Sequence, residues 1–201
     1  HLPDGYVKGK TKYIIVTGPA CAGKTLYGGW LADKLRLPFL RRDGMVDILL
    51  HHMPARTTRA RYRSATYAIL FFLLETYFRH HQSLVIESGF HPGEHEDPLR
   101  NLQKRYRAVP IQVHFSADPD ILVERFRQRV SSSIRHAGWG DKNVNLSVFR
   151  RKVVQGQYDP LHIGGGEIGS CGQIEIVVLP PPALLRFLCG FARNGAYFRM
   201  Q

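Results

Sequence analysis

Apolar and polar positions along the 201-residue chain change period repeatedly, from runs typical of buried strands to spacings typical of helices. Tyr13-Ile-Ile-Val-Thr17 is a short apolar, β-rich run that ends in glycine, the pattern of a buried strand. From Thr25 to Leu35 the residues Leu26, Trp30, Leu31 and Leu35 fall at helical spacing, and Pro38 closes the segment. Phe39-Leu40 predicts a second strand ending at Asp43, and Met45 to Met53 a brief helix stopped by Pro54. Thr57 to His81 is rich in Tyr, Phe and Leu and free of Gly and Pro, which predicts a long, partly buried helix. Leu84-Val-Ile-Glu87 reads as a third strand, followed by a turn-rich stretch to Gly93 and an amphipathic helix from Glu94 to Arg107. Val109 to Phe115 is a fourth strand. Asp118-Pro119 then opens a helix, with an N-cap residue followed by proline at the first helical position. The polar, glycine-containing stretch 131–145 is a candidate lid; a helix over 146–157, a last strand over 173–179 and a terminal helix over 183–193 complete the pattern.

Strands alternating with helices predict an α/β protein with a parallel sheet covered on both faces, a three-layer α/β/α arrangement. One domain is expected over residues 12–201, after a polar, flexible N-terminal segment 1–11. The longest apolar run, Ala68 to Leu74, is far short of the roughly 20 residues a membrane span needs, and no secretory signal pattern is present. Cys21, Cys171 and Cys189 are too few and scattered for a disulfide framework or a zinc site, so a cytoplasmic location is expected. Monomer and homodimer both stay open. Charge adds a direction: 28 Lys and Arg against 16 Asp and Glu leave a formal +12. A field of that sign favours nucleotides, phosphorylated metabolites or nucleic acid as partners.

The segment Gly18-Pro-Ala20-Cys21-Ala22-Gly23-Lys24-Thr25 follows the first strand and opens the first helix. Glycines at both ends let the backbone curl so that successive N–H groups face a phosphate, and the helix adds its positive end. Lys24 supplies a cation for the outer phosphates and the Thr25 hydroxyl a ligand for Mg²⁺. Gly18, Ala20, Cys21, Ala22, Gly23, Lys24 and Thr25 are therefore the expected nucleotide cradle. The chain has no Asn-Lys-x-Asp-type segment for reading guanine, which favours ATP over GTP.

Three further positions bear on the reaction. Asp43 lies just past the second strand, 19 residues after Lys24, at the carboxyl edge where α/β sheets carry their chemistry. There it can take a proton from a substrate hydroxyl, although it also suits the N-cap of the helix from Met45. Glu87 ends an apolar strand, where an acid can support Mg²⁺ or substrate. Arg125, Arg129 and Arg135 flank the lid and can neutralise charge on a transferred phosphoryl group. Phe39, His51 and Arg56 join Asp43 and Glu87 as candidates around the acceptor. His91 and His95 are four apart but separated by Pro92-Gly93, so a polar loop at the substrate mouth is preferred to a metal site. The aromatic residues of 57–81, interleaved with arginines, are preferred as core or pocket wall over base-stacking platforms.

With these residues in view the chain resembles the small P-loop kinases that include chloramphenicol phosphotransferase, polynucleotide kinase, gluconate kinase and zeta toxin. The resemblance rests on Gly18–Thr25, Phe39-Leu-Arg-Arg-Asp43, Val85-Ile-Glu-Ser88, Asp118-Pro-Asp-Ile-Leu-Val-Glu-Arg125-Phe-Arg-Gln-Arg129 and Arg135-His-Ala-Gly-Trp-Gly-Asp141. It implies a P-loop NTPase fold with a five-stranded parallel sheet, Mg-ATP as phosphoryl donor, Asp43 as base, and Arg125 and Arg129 near adenine or the lid. The chain departs from that family at Ala20-Cys21-Ala22, where small serine or glycine residues are usual, and in its lid segment around Trp139. The expectation is a phosphotransferase acting on a hydroxyl of a small molecule such as a sugar, nucleoside or antibiotic. A kinase for the 5′-hydroxyl of nucleic acid comes second, and an ATP-binding regulator without transfer activity third.

Overall fold

The fold is described from a computed structural model, over residues 11–53, 57–132 and 135–163 and the backbone of 172–177 and 198–199. Strand β1 (Lys12–Thr17) runs down the middle of the sheet, and its side chains divide the protein into layers. Tyr13 and Ile15 point to one face, where they meet Leu70, Leu74 and Phe78 of helix α3 (Arg59–Arg79) and Leu99 of helix α4 (Glu96–Tyr106). Ile14 and Val16 point to the other, against Leu31 and Ala32 of helix α1 (Lys24–Leu35), Leu122 and Phe126 of helix α5 (Pro119–Ser131), and Phe149 of helix α6 (Leu146–Val154). The two-residue side-chain period of a strand thus fills two cores at once. The layers are α/β/α, as the sequence pattern requires.

Strand β2 (Phe39–Arg41), β3 (Leu84–Glu87), β4 (Val109–Ser116), β5 (Gly172–Val177) and β6 (Phe198–Arg199) complete a sheet in the order β2-β3-β1-β4-β5-β6. Every pairing is parallel. The expected five strands are joined by a sixth, β6, whose two residues are too short to leave a periodic signal. The terminal helix expected over 183–193 lies outside the described residues. Among the described residues no helix is long and apolar enough to cross a membrane.

Helix α2 (Arg42–His52) starts three residues earlier than Met45, because the chain turns directly out of β2. Asp43 is therefore in the first turn of α2, and Arg41 holds the N-cap position. The Asp118 cap of α5 is as expected, its side chain accepting from the N–H groups of Asp120 and Ile121. On the α3/α4 face, β4 presents the buried polar residues Gln112 and His114. The Leu161 N–H donates to Gln112 Oε1 at 3.1 Å, and Leu161 and Ile163 join that core.

Candidate active site

The loop between β1 and α1 is shaped by three residues with positive φ: Gly18 (127°), Cys21 (65°) and Gly23 (91°). At Gly18 the constraint is steric as well, since a Cβ there would run into the carbonyl oxygen of Phe115 on β4. Such a sequence of backbone conformations forms a concave nest of N–H groups ahead of a helix N-terminus, a binding surface for phosphate. Lys24 is the first residue of α1, and its Nζ donates to the Pro19 carbonyl at 2.6 Å, which folds the side chain back over the loop. Burial pushes the Lys24 ammonium down from its usual pKa, while Glu87 and Asp43 pull it back up. Cys21 is a free thiol whose pKa burial raises, against the opposing pull of Arg129 and Lys24, so it stays in the unreactive protonated form.

Two carboxylates face this loop from the carboxyl ends of neighbouring strands. Arg41 and Glu87 are register partners across β2 and β3, so Asp43, two residues on, emerges beside Glu87. Glu87 is buried, its Oε1 accepting from Thr25 Oγ1 at 3.1 Å while its Oε2 is buried without a hydrogen-bond partner among the described residues. Burial raises the Glu87 pKa and Lys24 holds it down. Behind Lys24 on β4 sits His114, pushed down to about 4 by burial and by the Lys24 charge. A neutral buried histidine has a consequence for acid stability. Between the folded value of about 4 and the unfolded value of about 6.5 the unfolded chain binds the extra proton, so stability rises with pH across that window. Acidification from neutral pH is expected to cost on the order of 3 kcal/mol through this residue. Urea midpoints measured against pH check it, and His114→Gln should flatten the slope.

The stretch expected as a lid is docked on α2. Two short 3₁₀ turns, Ala137–Trp139 and Asp141–Asn143, carry it across the cleft. Trp139 is buried with Val46, Leu50 and Tyr62, and its indole N–H donates to Asp47 Oδ1 at 2.6 Å. The Arg135 guanidinium lies over the indole at 3.7 Å and donates to Asp43 Oδ2 at 2.7 Å. Asp141 gathers the lid arginines, 3.3 Å from Arg129 and 3.7 Å from Arg135. Arg125 is directed elsewhere, donating to the Cys21 carbonyl at 3.4 Å and bracing the phosphate loop from outside. The loop, the two carboxylates and the lid surround one cleft of about 1460 Å³, lined by Gly18, Ala20, Cys21, Gly23, Lys24, Thr25, Asp43, Glu87, Arg129 and Arg135 among others, but not by Arg125. That exceeds the roughly 300–1,000 Å³ of a single-ligand pocket and is room for two. Ala22 is buried behind the loop. Phe39 packs among the α1-side core residues and His51 is exposed, its Nδ1 2.7 Å from the Asp47 carbonyl; neither lines the cleft. Arg56 lies outside the described residues.

A family model described as an AAA domain matches residues 14–151. The chain belongs to that family. It is a P-loop, kinase-like family, as the resemblance in the sequence implied. Among solved structures, this AAA-family chain is similar to a Chloroflexus aurantiacus protein provisionally designated a kinase. The two are 26% identical, with a TM-score of 0.75, over 90% of this chain and 98% of that one. A gluconokinase from Sinorhizobium meliloti (18% identity, TM-score 0.51, 93% of each chain) shares the fold. So does the tunicamycin resistance protein of Deinococcus radiodurans (14% identity, TM-score 0.52, 76% of this chain and 85% of that one). No curated protein matches the chain.

Some residues of this AAA-family site escape a reading of the sequence. Asp47 is a single acid in polar surroundings with nothing local to distinguish it, and the segment that ends at Asp141 does not itself say that this acid pairs with the lid arginines. Arg42 and Tyr67 meet only in the fold, the guanidinium 4.5 Å from the ring centroid. Trp139 did carry a signal, since a tryptophan in a polar glycine-containing stretch needs a burial site of its own. His91 and His95 do come to the cleft, but among the described residues no group of three metal-ligating side chains forms.

Proposed function

We propose that the chain is an ATP-dependent phosphotransferase that moves the γ-phosphate of Mg-ATP to a hydroxyl of a small molecule. The observation that carries this reading is the convergence of Lys24, Glu87 and Asp43 on one cleft, close enough that both acids act on the lysine charge. Lys24 and the loop N–H groups hold the β- and γ-phosphates; Asp43 orients the acceptor hydroxyl and takes its proton. Arg129 and Arg135, held by Asp141 and Asp43 in the docked lid stretch, turn to the transferred phosphoryl group once nucleotide is bound. The unpaired Glu87 oxygen and the neighbouring Thr25 hydroxyl are hard oxygen donors suited to Mg²⁺, directly or through its water shell. Bound there, the ion would offset phosphate charge.

Transfer of label from γ-³²P-ATP across sugars, nucleosides and phenicol and aminoglycoside antibiotics tests the reading. ATP turnover with no labelled acceptor in a broad screen would point to a regulator instead. Glu87→Gln is expected to weaken the Mg²⁺-dependent part of ATP-analogue affinity about 10-fold. Calorimetry with and without Mg²⁺ reads this directly, and an unchanged Mg²⁺ dependence removes Glu87 from the metal.

A second reading, a kinase for nucleic-acid 5′-hydroxyls, is favoured by Arg59, Arg61 and Arg63, which all lie exposed at the start of α3. Oligonucleotide binding that falls steeply with salt would support it.

A further inference from the structure

The cleft continues past Asp43 into a wall that phosphate transfer by itself does not call for. It is built by Arg42 at the start of α2, by Arg59, Arg63 and Tyr67 of α3, and by the loop carrying His91, Glu94 and His95. Tyr67 is fixed in place: its hydroxyl donates to the Gly89 carbonyl at 3.0 Å and accepts from Ser88 Oγ at 3.3 Å, and the His95 ring lies 4.1 Å away. Arg42 stacks on that fixed ring, and its side chain is only 14% exposed.

Such a guanidinium needs an anion, and its own supply is poor. Among the described residues its one ion pair is to Asp43 Oδ1, at a long 3.4 Å, while Arg135 holds the other Asp43 oxygen at 2.7 Å. Arg42 Nε is buried with no hydrogen-bond partner among the described residues. Arg63 is paired with Glu94 and lies 6.0 Å from the Tyr67 centroid. The histidines add no charge at neutral pH, because burial lowers both of their pKa values. His95 Nδ1 accepts from the His91 N–H at 3.1 Å. Arg42, Arg59 and Arg63 therefore line this wall with two carboxylates: Glu94, which Arg63 holds, and Asp43, which Arg42 shares with Arg135. A largely buried guanidinium is costly to leave under-paired, and its planar fork matches a carboxylate or phosphate.

We propose that the phosphoryl acceptor is itself an anion, a compact hydroxyl compound whose carboxylate or phosphate sits on Arg42, with Arg63 alongside. Arg42 and Asp43 are adjacent in sequence and in contact, so the anionic group and the reacting hydroxyl are close together in that molecule. The inference rests on the phosphotransferase reading and names the acceptor class for it.

The test saturates the phosphate loop first, with Mg²⁺ and a non-hydrolysable ATP analogue, so that added anions cannot bind there. Inorganic phosphate and acetate are then titrated separately while the imidazole resonances of His91 and His95 are followed by NMR. A saturable shift at millimolar concentration is expected for one of the two, which distinguishes phosphate from carboxylate. Arg42→Gln should weaken it by about 10-fold or more, and Arg63→Gln by less, with analogue affinity retained. No saturable shift up to tens of millimolar, or one that survives Arg42→Gln, overturns the proposal. Failure of the protein to bind the ATP analogue in that first step, read by calorimetry, would instead overturn the phosphotransferase reading itself.

Discussion

Lys24→Ala is expected to lower phosphoryl transfer by about 10²–10³-fold or more. The lysine is held at the mouth of α1 by the Pro19 carbonyl, within the phosphate loop, and its charge acts on Glu87. Its ammonium is already withdrawn from water, so its field on a bound phosphate is poorly screened. Truncation removes that field and leaves Glu87, whose pKa burial already raises, without the lysine charge that opposes that rise. The expected signature is weaker ATP binding together with lost transfer, in a protein whose circular dichroism is unchanged. Transfer within a few-fold of normal would show that the loop does not handle the γ-phosphate as proposed.

Asp43→Asn separates chemistry from binding. The amide keeps the shape and still accepts a hydrogen bond from Arg135, but it cannot take a proton. Transfer to the acceptor is expected to fall by about 10²–10⁴-fold, the usual worth of a positioned general base. ATP-analogue affinity should change little, because the nucleotide cradle is built from Gly18–Thr25. Stability is expected to fall by more than the roughly 1 kcal/mol of the partly exposed Arg135 pair, because the change also removes the ion pair of the largely buried Arg42. Single-turnover transfer and thermal unfolding, measured on the same preparation, read the two quantities apart. Unimpaired transfer would remove Asp43 from the reaction.

Legibility of the site follows the distance over which its parts communicate. The phosphate loop is contiguous, and its strand-before, helix-after context is visible in a dozen neighbouring residues. Glu87 and Asp43 were reachable because one ends a strand and the other follows one by two residues, and strand ends of a parallel sheet share an edge. The start of α2 was misplaced by three residues because no proline or separate cap residue marks it; the chain leaves β2 at Arg41 and is helical at once. The lid was recognised by its composition, but nothing in composition says what it rests on.

What the amino-acid order by itself determined is therefore the local part: alternating strands and helices, the Gly18–Thr25 cradle, and a carboxylate at or just past the end of each of two strands. Tertiary structure decided the partners. Trp139 reaches Asp47 and Arg135 reaches Asp43 across 92 residues each, and Tyr67 reaches Gly89 across 22. Whether Arg42 finds a neutralising carboxylate is settled only when α2, α3 and the lid pack together. Ion pairing and burial depend on separations in space, and separations in space are set by the packing of distant elements rather than by neighbours in the chain.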